Sequence, residues 1–400
     1  MEISEQFFRT RRIIRLFKFS PSSQSIQSTA RSHHAYLHLS PPSSAHERRT
    51  RRTYGHGRDA ENEGYSVFFV LREKRELTPW YSALPASVPV LFQQNGDLFF
   101  NEDHQSTSLR PEDIWLLPEG WPLALLPGLR AGSRVVLYVQ NWAYLLEELP
   151  AGLELPRLPV GYLAVSRPVA WHIRDMTGKT AELLRPGIDS ALFHPSSCDL
   201  QNRQSATRAR IAWMPRKNSA LARQIHAITN ARLTRKGLAL PEWVEIRNKS
   251  HAEVADILRN ADIFLATGFP EGCPLPPLEA MASGCVVTGF SGFGGWDYMR
   301  QPVELRAGRA WGDSPAWLPQ TLRNELARDE RPGNGLWAAD GDVIGASLAL
   351  DKALALWEEH DEAWNALRNG ALDTASLYDL SAQRRELLHL WKRASDESCF

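Results

Sequence analysis

From about residue 209 onward, short and mostly apolar runs alternate with stretches of helical periodicity, and that alternation narrows the possible folds more than any other feature. Ala209–Met214, Glu242–Ile246, Asp262–Ala266 and Cys285–Gly289 read as strands. Most lack the in-out alternation of a sheet wetted on one face, as expected of parallel strands covered on both faces. Helical patterns fill the gaps near Ser219–Thr229, from Ser250 to about Arg259, and at Pro276–Ser283. Ser250-His251-Ala252-Glu253 is a capping box that opens the second of these, and Gly284 closes the third. Such an order predicts a parallel sheet with helical crossovers. Beyond residue 340 the pattern turns helical, at Val343–Glu359, Glu362–Leu372 and Ser381–Ala394.

The region before residue 209 repeats this grammar less cleanly. Tyr65–Leu71, Val88–Phe92, Asp113–Leu117, Arg134–Val139 and Val160–Val165 read as strands, and Trp142–Glu148 and Val169–Thr177 as short helices. With 400 residues and roughly 100–200 residues per domain, two α/β domains are expected. They fall at 63–205 and 206–375, with a C-terminal helix over 376–400 that crosses back to the first.

Residues 1–62 differ in composition. Formal charge is balanced over the whole chain, yet residues 1–58 hold eleven Arg/Lys and three Asp/Glu, a net 11 − 3 = +8. Ser/Pro clusters and Arg48-Arg49-Thr50-Arg51-Arg52 point to a disordered basic tail or a mis-annotated start. Arg9–Lys18 has the pattern of a short basic amphipathic helix, which keeps a targeting or membrane role open as the alternative. The remainder carries about −8 and shows no recognition motif, so no nucleic-acid partner is expected. The four cysteines, Cys198, Cys273, Cys285 and Cys399, form no CxxC pair, which argues against a zinc site or disulfide framework and for a reducing compartment. No apolar run approaches the roughly 20 residues needed to span a bilayer. The expected location is cytoplasmic, with peripheral contact at the inner membrane face as an option.

One segment concentrates the chemistry. After Asp262–Ala266 comes a Gly/Pro loop with Glu271, Gly272, Cys273, Pro274 and Leu275, then a helix opened by Pro276 at its first position with Glu279 one turn in. In an open α/β sheet, ligands bind beyond the carboxyl ends of the strands. Gly272 admits close backbone approach, and a helix N-terminus attracts phosphate. A carboxylate at Glu279 can accept bonds from two vicinal hydroxyls, such as those of a ribose. The plain alternatives are a first-turn acid favoured by the helix dipole for Glu279 and a solvated loop acid for Glu271. Leu275, Leu278, Met281 and Ala282 are expected to form the buried side of the helix.

Arg216 and Lys217 follow the first strand of this second region and are expected at the same sheet edge, where they would offset diphosphate charge; a solvated basic turn is the alternative. The Gly289–Trp296 loop borders the same edge, and an ordinary turn explains it equally well.

The string E-G-C-P-L-P-P-L-E-A-M-A-S-G-C-V-V resembles the E-x7-E signature of retaining GT-B glycosyltransferases of glycosyltransferase family 4. The resemblance covers about residues 160–300. It implies an α/β GT-B fold, with two Rossmann-like domains facing across a cleft. It also implies transfer of a hexose, with retention, from a nucleotide diphosphate sugar to a glycan, lipid or other hydroxyl acceptor. By the same resemblance, Glu271 is the catalytic-site acid and Glu279 the ribose-binding one. Arg216, Lys217, Gly272, Cys273, Pro274 and Leu275 complete the donor site, and neither metal nor cofactor is needed. The family has Phe more often than Cys at the position of Cys273. Leu183–Phe193 resembles the family's interdomain connection.

The family's opening strand and Gly-rich loop are expected 15–20 residues before Tyr65. Only Tyr54–Gly57 resembles them, so an incomplete first domain is expected, and with it a non-catalytic nucleotide-sugar-binding protein as the alternative function. Asn141, Trp142, Ser166 and Arg167 are the acceptor-side candidates.

Overall fold

The structure is a computed structural model. It describes residues 16–17, 35–39, 67–71, 90–94, 97–100, 106–107, 109–120, 122–146, 153–196, 207–302, 331–359 and 362–395. The chain divides into two compact units. Among the described residues, the first holds those up to Val165, Val169–Arg185 and those from Arg384 on; the second holds Ser166–Pro168 and Pro186–Gln383.

The first unit is built on one sheet. Its parallel strands are β2 (Ala35–Leu39), β3 (Val67–Leu71), β4 (Val90–Gln94), β7 (Ile114–Pro118), β8 (Arg134–Val139), β9 (Val160–Ala164) and β10 (Glu182–Leu183), ordered β10-β9-β8-β7-β2-β3-β4. Two antiparallel strands, β5 (Asp97–Phe100) and β6 (Ser106–Thr107), extend the β4 edge, and the two-residue β1 (Leu16–Phe17) pairs antiparallel with β2, β3 and β7. In chain order the parallel strands run 7-6-5-4-1-2-3, the doubly wound arrangement.

The opening strand is therefore present. Ala35–Leu39 lies between β3 and β7, parallel to both, inside the span read from sequence as a tail. It stands 26–30 residues before Tyr65, not the expected 15–20. Leu16 and Phe17, expected in a basic helix, are extended instead. The rest of Arg9–Lys18, the Tyr54–Gly57 segment and the Arg48–Arg52 run lie outside the described residues. Ile114–Pro118 is buried throughout, which explains its unbroken apolar run. The helix read at Trp142–Glu148 is a 3-10 turn, Trp142–Tyr144, as far as it is described. α1 (Leu126–Ala131) and most of α2 (Arg167–Thr177) complete this unit.

The second unit carries five parallel strands: β11 (Arg210–Trp213), β12 (Glu242–Glu245), β13 (Ile263–Ala266), β14 (Val286–Phe290) and β15 (Gly335–Ala338), in the order β12-β11-β13-β14-β15. The order reverses at β11, so the gap between the carboxyl ends of β11 and β13 is the topological switch point, where such sheets bind ligands. The helices are α3 (Ser219–Lys236), α4 (His251–Arg259), α5 (Leu275–Ala282), the one-turn α6 (Gly292–Gly295), α7 (Val343–Glu359), α8 (Glu362–Ser376) and α9 (Leu380–Ser395), which continues into the first unit. The Ser250–Glu253 capping box forms as read. Ile211, Ile225, Ile263, Leu265, Leu350, Leu356, Trp364 and Leu367 belong to one buried cluster. It joins the sheet to α3, α7 and α8 and makes the strand ends a rigid platform.

Pro186–Ile188 enters the second unit beside Tyr378–Leu380. Ile188 N–H donates to the Tyr378 carbonyl at 2.7 Å, and Leu380 N–H to the Ile188 carbonyl at 3.1 Å. A Cβ on Gly187 would lie 2.7 Å from the Asp379 carbonyl oxygen, so the turn suggested by Pro186-Gly187 is also a close backbone crossing. Within the first unit, Arg393 holds Glu182 with two hydrogen bonds and Arg185 holds Glu386 at 2.8 Å. Among the described residues no helix is long and apolar enough to cross a membrane.

Candidate functional site

The switch point of the second sheet gathers the two segments singled out in the sequence. After β11 the chain turns through Met214–Lys217 into α3. Asn218 takes a left-handed conformation (φ 55°) before that helix. Its amide donates to the Thr267 carbonyl at 2.9 Å and the Phe269 carbonyl at 3.0 Å. These bonds tie the β11–α3 turn to the β13–α5 loop. Arg216, Lys217, Gly268, Glu271 and Pro276 line one recess there of about 40 Å³, room for a few waters.

Glu271 is 6 % exposed. Lys217 Nζ stands 2.8 Å from its Oε1 and donates to the Pro270 carbonyl at 2.7 Å. The half-exposed Arg216 reaches the same carboxylate oxygen at 3.6 Å. Glu271 is thus a buried acid held by two cations, which excludes the solvated-loop reading, since carboxylates are rarely buried unless paired.

Glu279 is 4 % exposed. Its Oε1 lies 3.3 Å from His251 Nε2 at the start of α4, and the His251 ring packs edge-on against Phe193, centroids 4.8 Å apart. Glu279 is the fifth residue of α5, past its first turn, and it is buried, so the reading as a first-turn acid placed for the helix dipole does not hold. Leu278, Met281 and Ala282 are buried as expected, while Leu275 is only partly so. The capping box was legible, but nothing in its pattern marked His251 as the neighbour of Glu279. That pairing depends on how α4 packs on α5.

The helix start differs from the expectation. The N-cap is Pro274 and the first residue Leu275, so Pro276 is second and Pro277 third. Neither carries an N–H. Of the first three helical positions only Leu275 offers one, and the dipole, rather than a cradle of amides, is what this terminus supplies. Arg216 and Lys217 carry correspondingly more of any anion's charge.

The loop is braced from beneath. Tyr298 is fully buried, and burial pushes its hydroxyl well above the usual tyrosine range. It therefore stays protonated, and it donates to the Pro274 carbonyl at 2.6 Å. Ser166 Oγ, also fully buried, donates to the Gly272 carbonyl at 2.6 Å. Arg167 N–H donates to Asp297 Oδ1 at 3.1 Å, and Tyr378 hydroxyl to Asp297 Oδ2 at 2.7 Å. Ser166 and Asn141, read as acceptor-side candidates, have structural roles: the Asn141 side chain caps Ala143 N–H at 3.1 Å. The Gly289–Trp296 loop contributes backbone. Gly294 N–H donates to the Glu271 carbonyl at 3.1 Å, and a Cβ on Gly294 would lie 2.1 Å from the Gly272 oxygen. Cys273 is buried and forms no disulfide. Among the described residues no three His, Cys, Asp or Glu side chains converge as a metal site.

No family model and no curated protein sequence matches the chain. Solved structures do match, at low identity. A glycosyltransferase from Rickettsia africae aligns over 89 % of this chain and 97 % of its own, with 11 % identity and a TM-score of 0.59. Sucrose-phosphate synthase from Thermosynechococcus elongatus aligns over 86 % and 92 %, with 11 % identity and a TM-score of 0.52. HepE from Anabaena, in complex with UDP-glucose, aligns over 88 % and 96 %, with 13 % identity and a TM-score of 0.51. With one mostly parallel and one wholly parallel sheet, these likenesses give the chain the α/β GT-B fold.

Proposed function

We propose that the protein is a retaining, metal-independent glycosyltransferase that moves a hexose from a nucleotide diphosphate sugar to a hydroxyl acceptor, either a glycan or a lipid-linked saccharide. The observation that carries the reading is the pair of buried acids, Glu271 and Glu279, eight positions apart at the switch point, one of them held by Lys217 at 2.8 Å. The spacing matches the E-x7-E string, and an ordinary protein surface gives no reason to bury both.

In this reading Glu279 accepts hydrogen bonds from the ribose hydroxyls, and His251 orients its carboxylate. The diphosphate lies against Lys217, Arg216 and the dipole of α5, which stabilise the charge that develops as the bond to the anomeric carbon breaks. That bond's electron pair leaves with the nucleoside diphosphate. The acceptor oxygen attacks from the same face, and its proton passes to the departing phosphate oxygen. Glu271 positions the sugar hydroxyls. Gly272, Cys273, Pro274 and Leu275 form the wall beside the sugar and phosphate, and Cys273 gives that wall a smaller side chain than the Phe more usual in the resembling family. A cytoplasmic site, with peripheral contact at the inner membrane face for a lipid-linked acceptor, completes the proposal.

A thermal-shift screen with UDP-, GDP- and ADP-sugars tests it. A ligand at about 100 times its Kd stabilises the folded state by about 2.7 kcal/mol, a readily measured rise in Tm. One donor series is expected to stabilise the wild type, and Glu279→Ala to lose most of that rise. If no nucleotide sugar stabilises the wild type, the donor-site reading fails. Stabilisation by a donor without turnover on any supplied acceptor would favour a nucleotide-sugar-binding protein instead.

A further inference from the structure

The donor-site reading leaves one feature of the recess unexplained. The side chains proposed to receive a diphosphate, Lys217 and Arg216, already face an anion, the Glu271 carboxylate. Glu271 is nearly buried, Lys217 is mostly so, and both line the same recess. In surroundings screened this little, a carboxylate and a phosphate compete for one cation and repel each other. The start of α5 eases the competition little, because Pro276 and Pro277 contribute no N–H.

We infer that Glu271 is an internal counter-ion for the phosphate-binding cations, and that its exchange with the diphosphate makes the site favour a nucleotide sugar over the bare nucleoside diphosphate. This rests on the donor-site reading. In the empty site Lys217 holds Glu271. When a donor enters, Lys217 and Arg216 turn to the diphosphate, and Glu271 exchanges their charge for the hydroxyls of the transferred sugar. After transfer the nucleoside diphosphate remains without the sugar. Glu271 then has no hydroxyl partner, lies close to a multiply charged anion, and competes again for Lys217. The product is thereby weakened relative to the substrate. The same residue that orients the sugar clears the site.

The test is calorimetric titration of the full chain with UDP, GDP and ADP, and with UDP-glucose, GDP-mannose and ADP-glucose, for wild type and Glu271→Gln. Glutamine keeps the shape and can still bond sugar hydroxyls, but it carries no charge. The cognate nucleoside diphosphate is expected to bind Glu271→Gln at least about tenfold more tightly than wild type. The nucleotide sugar is expected to change less, so that the preference for it over its diphosphate collapses. Glu271→Asp, which draws the carboxylate one methylene back, gives a smaller tightening in the same direction and covers the case in which the glutamine variant does not fold. The gain is expected to vanish when Lys217→Met is added, because the competition is over that cation. If the diphosphate binds Glu271→Gln as weakly as wild type or more weakly, the counter-ion role is overturned while the donor site stands. If neither protein binds any nucleotide, both readings fall.

Discussion

Two loops leave adjacent strands of the second sheet and look alike in sequence. Thr267–Pro274 follows β13, and Ser291 with the one-turn α6 follows β14; both are rich in glycine or proline. Their work differs. The first carries a buried acid that faces two cations. The second supplies shape: Gly294 approaches Gly272 more closely than any side chain would allow, and Gly292 N–H is fixed by Asp340 Oδ1 at 2.8 Å. A glycine-rich loop at a ligand-binding edge need not touch the ligand, because it can be what lets the ligand-facing loop sit at the right depth.

The comparison breaks most visibly at Gly294. A Cβ 2.1 Å from the Gly272 oxygen must displace backbone. Gly294→Ala is therefore expected to lower Tm by roughly 2–12 °C, from an overpacking cost of about 1–3 kcal/mol. It is also expected to abolish donor binding by shifting Glu271. Differential scanning calorimetry and donor titration read the two effects. A variant with wild-type Tm and donor affinity would mean that the second loop does not set the depth of the first.

Lys217→Met sharpens the contrast from the other side, since it removes a charge and leaves the backbone alone. A charge-assisted contact to a departing phosphate is worth about 2.7–4 kcal/mol in the transition state, so kcat/KM for the donor is expected to fall about 100-fold or more in steady-state assays. Tm is expected to fall less than in Gly294→Ala, because Arg216 remains to meet Glu271. A Tm loss larger than that of Gly294→Ala would make the Lys217–Glu271 pair mainly structural.

Much of the second unit was legible because local and tertiary preferences agree there. The capping box, the glycine after α5 and the buried apolar strands all point to one arrangement. The burial of Glu271 and Glu279 was not legible, because burial of a polar side chain depends on what packs around it. The E-x7-E string suggested their importance without showing which groups would face them. The opening strand was missed for another reason. Ala35–Leu39 reads A-Y-L-H-L, five residues with a histidine, and its two parallel partners, β3 and β7, are distant in sequence. A short strand held by non-local partners carries little signal of its own. Both prolines at the start of α5 were legible, but with Pro276 expected at the first position their cost was not: at the second and third positions they remove two donors from a helix start read as an anion cradle.

The smallest expected effect separates the two acids. Glu271 faces lysine and arginine, whereas Glu279 faces a histidine whose Nε2 is 3.3 Å away. At that distance His251 can hold the Glu279 carboxylate in place through one hydrogen bond. His251→Ala is then expected to raise the donor KM about 5–10-fold, the loss of roughly one hydrogen bond, with kcat nearly unchanged. His251→Gln, which can place an amide donor near the position of Nε2, should recover most of the loss. The decisive comparison is the ribonucleotide donor against its 2′-deoxy analogue. If His251 acts by aiming Glu279 at the ribose hydroxyls, the preference for the ribonucleotide shrinks in His251→Ala. If His251 only packs against Phe193, both donors weaken by the same factor and the preference survives.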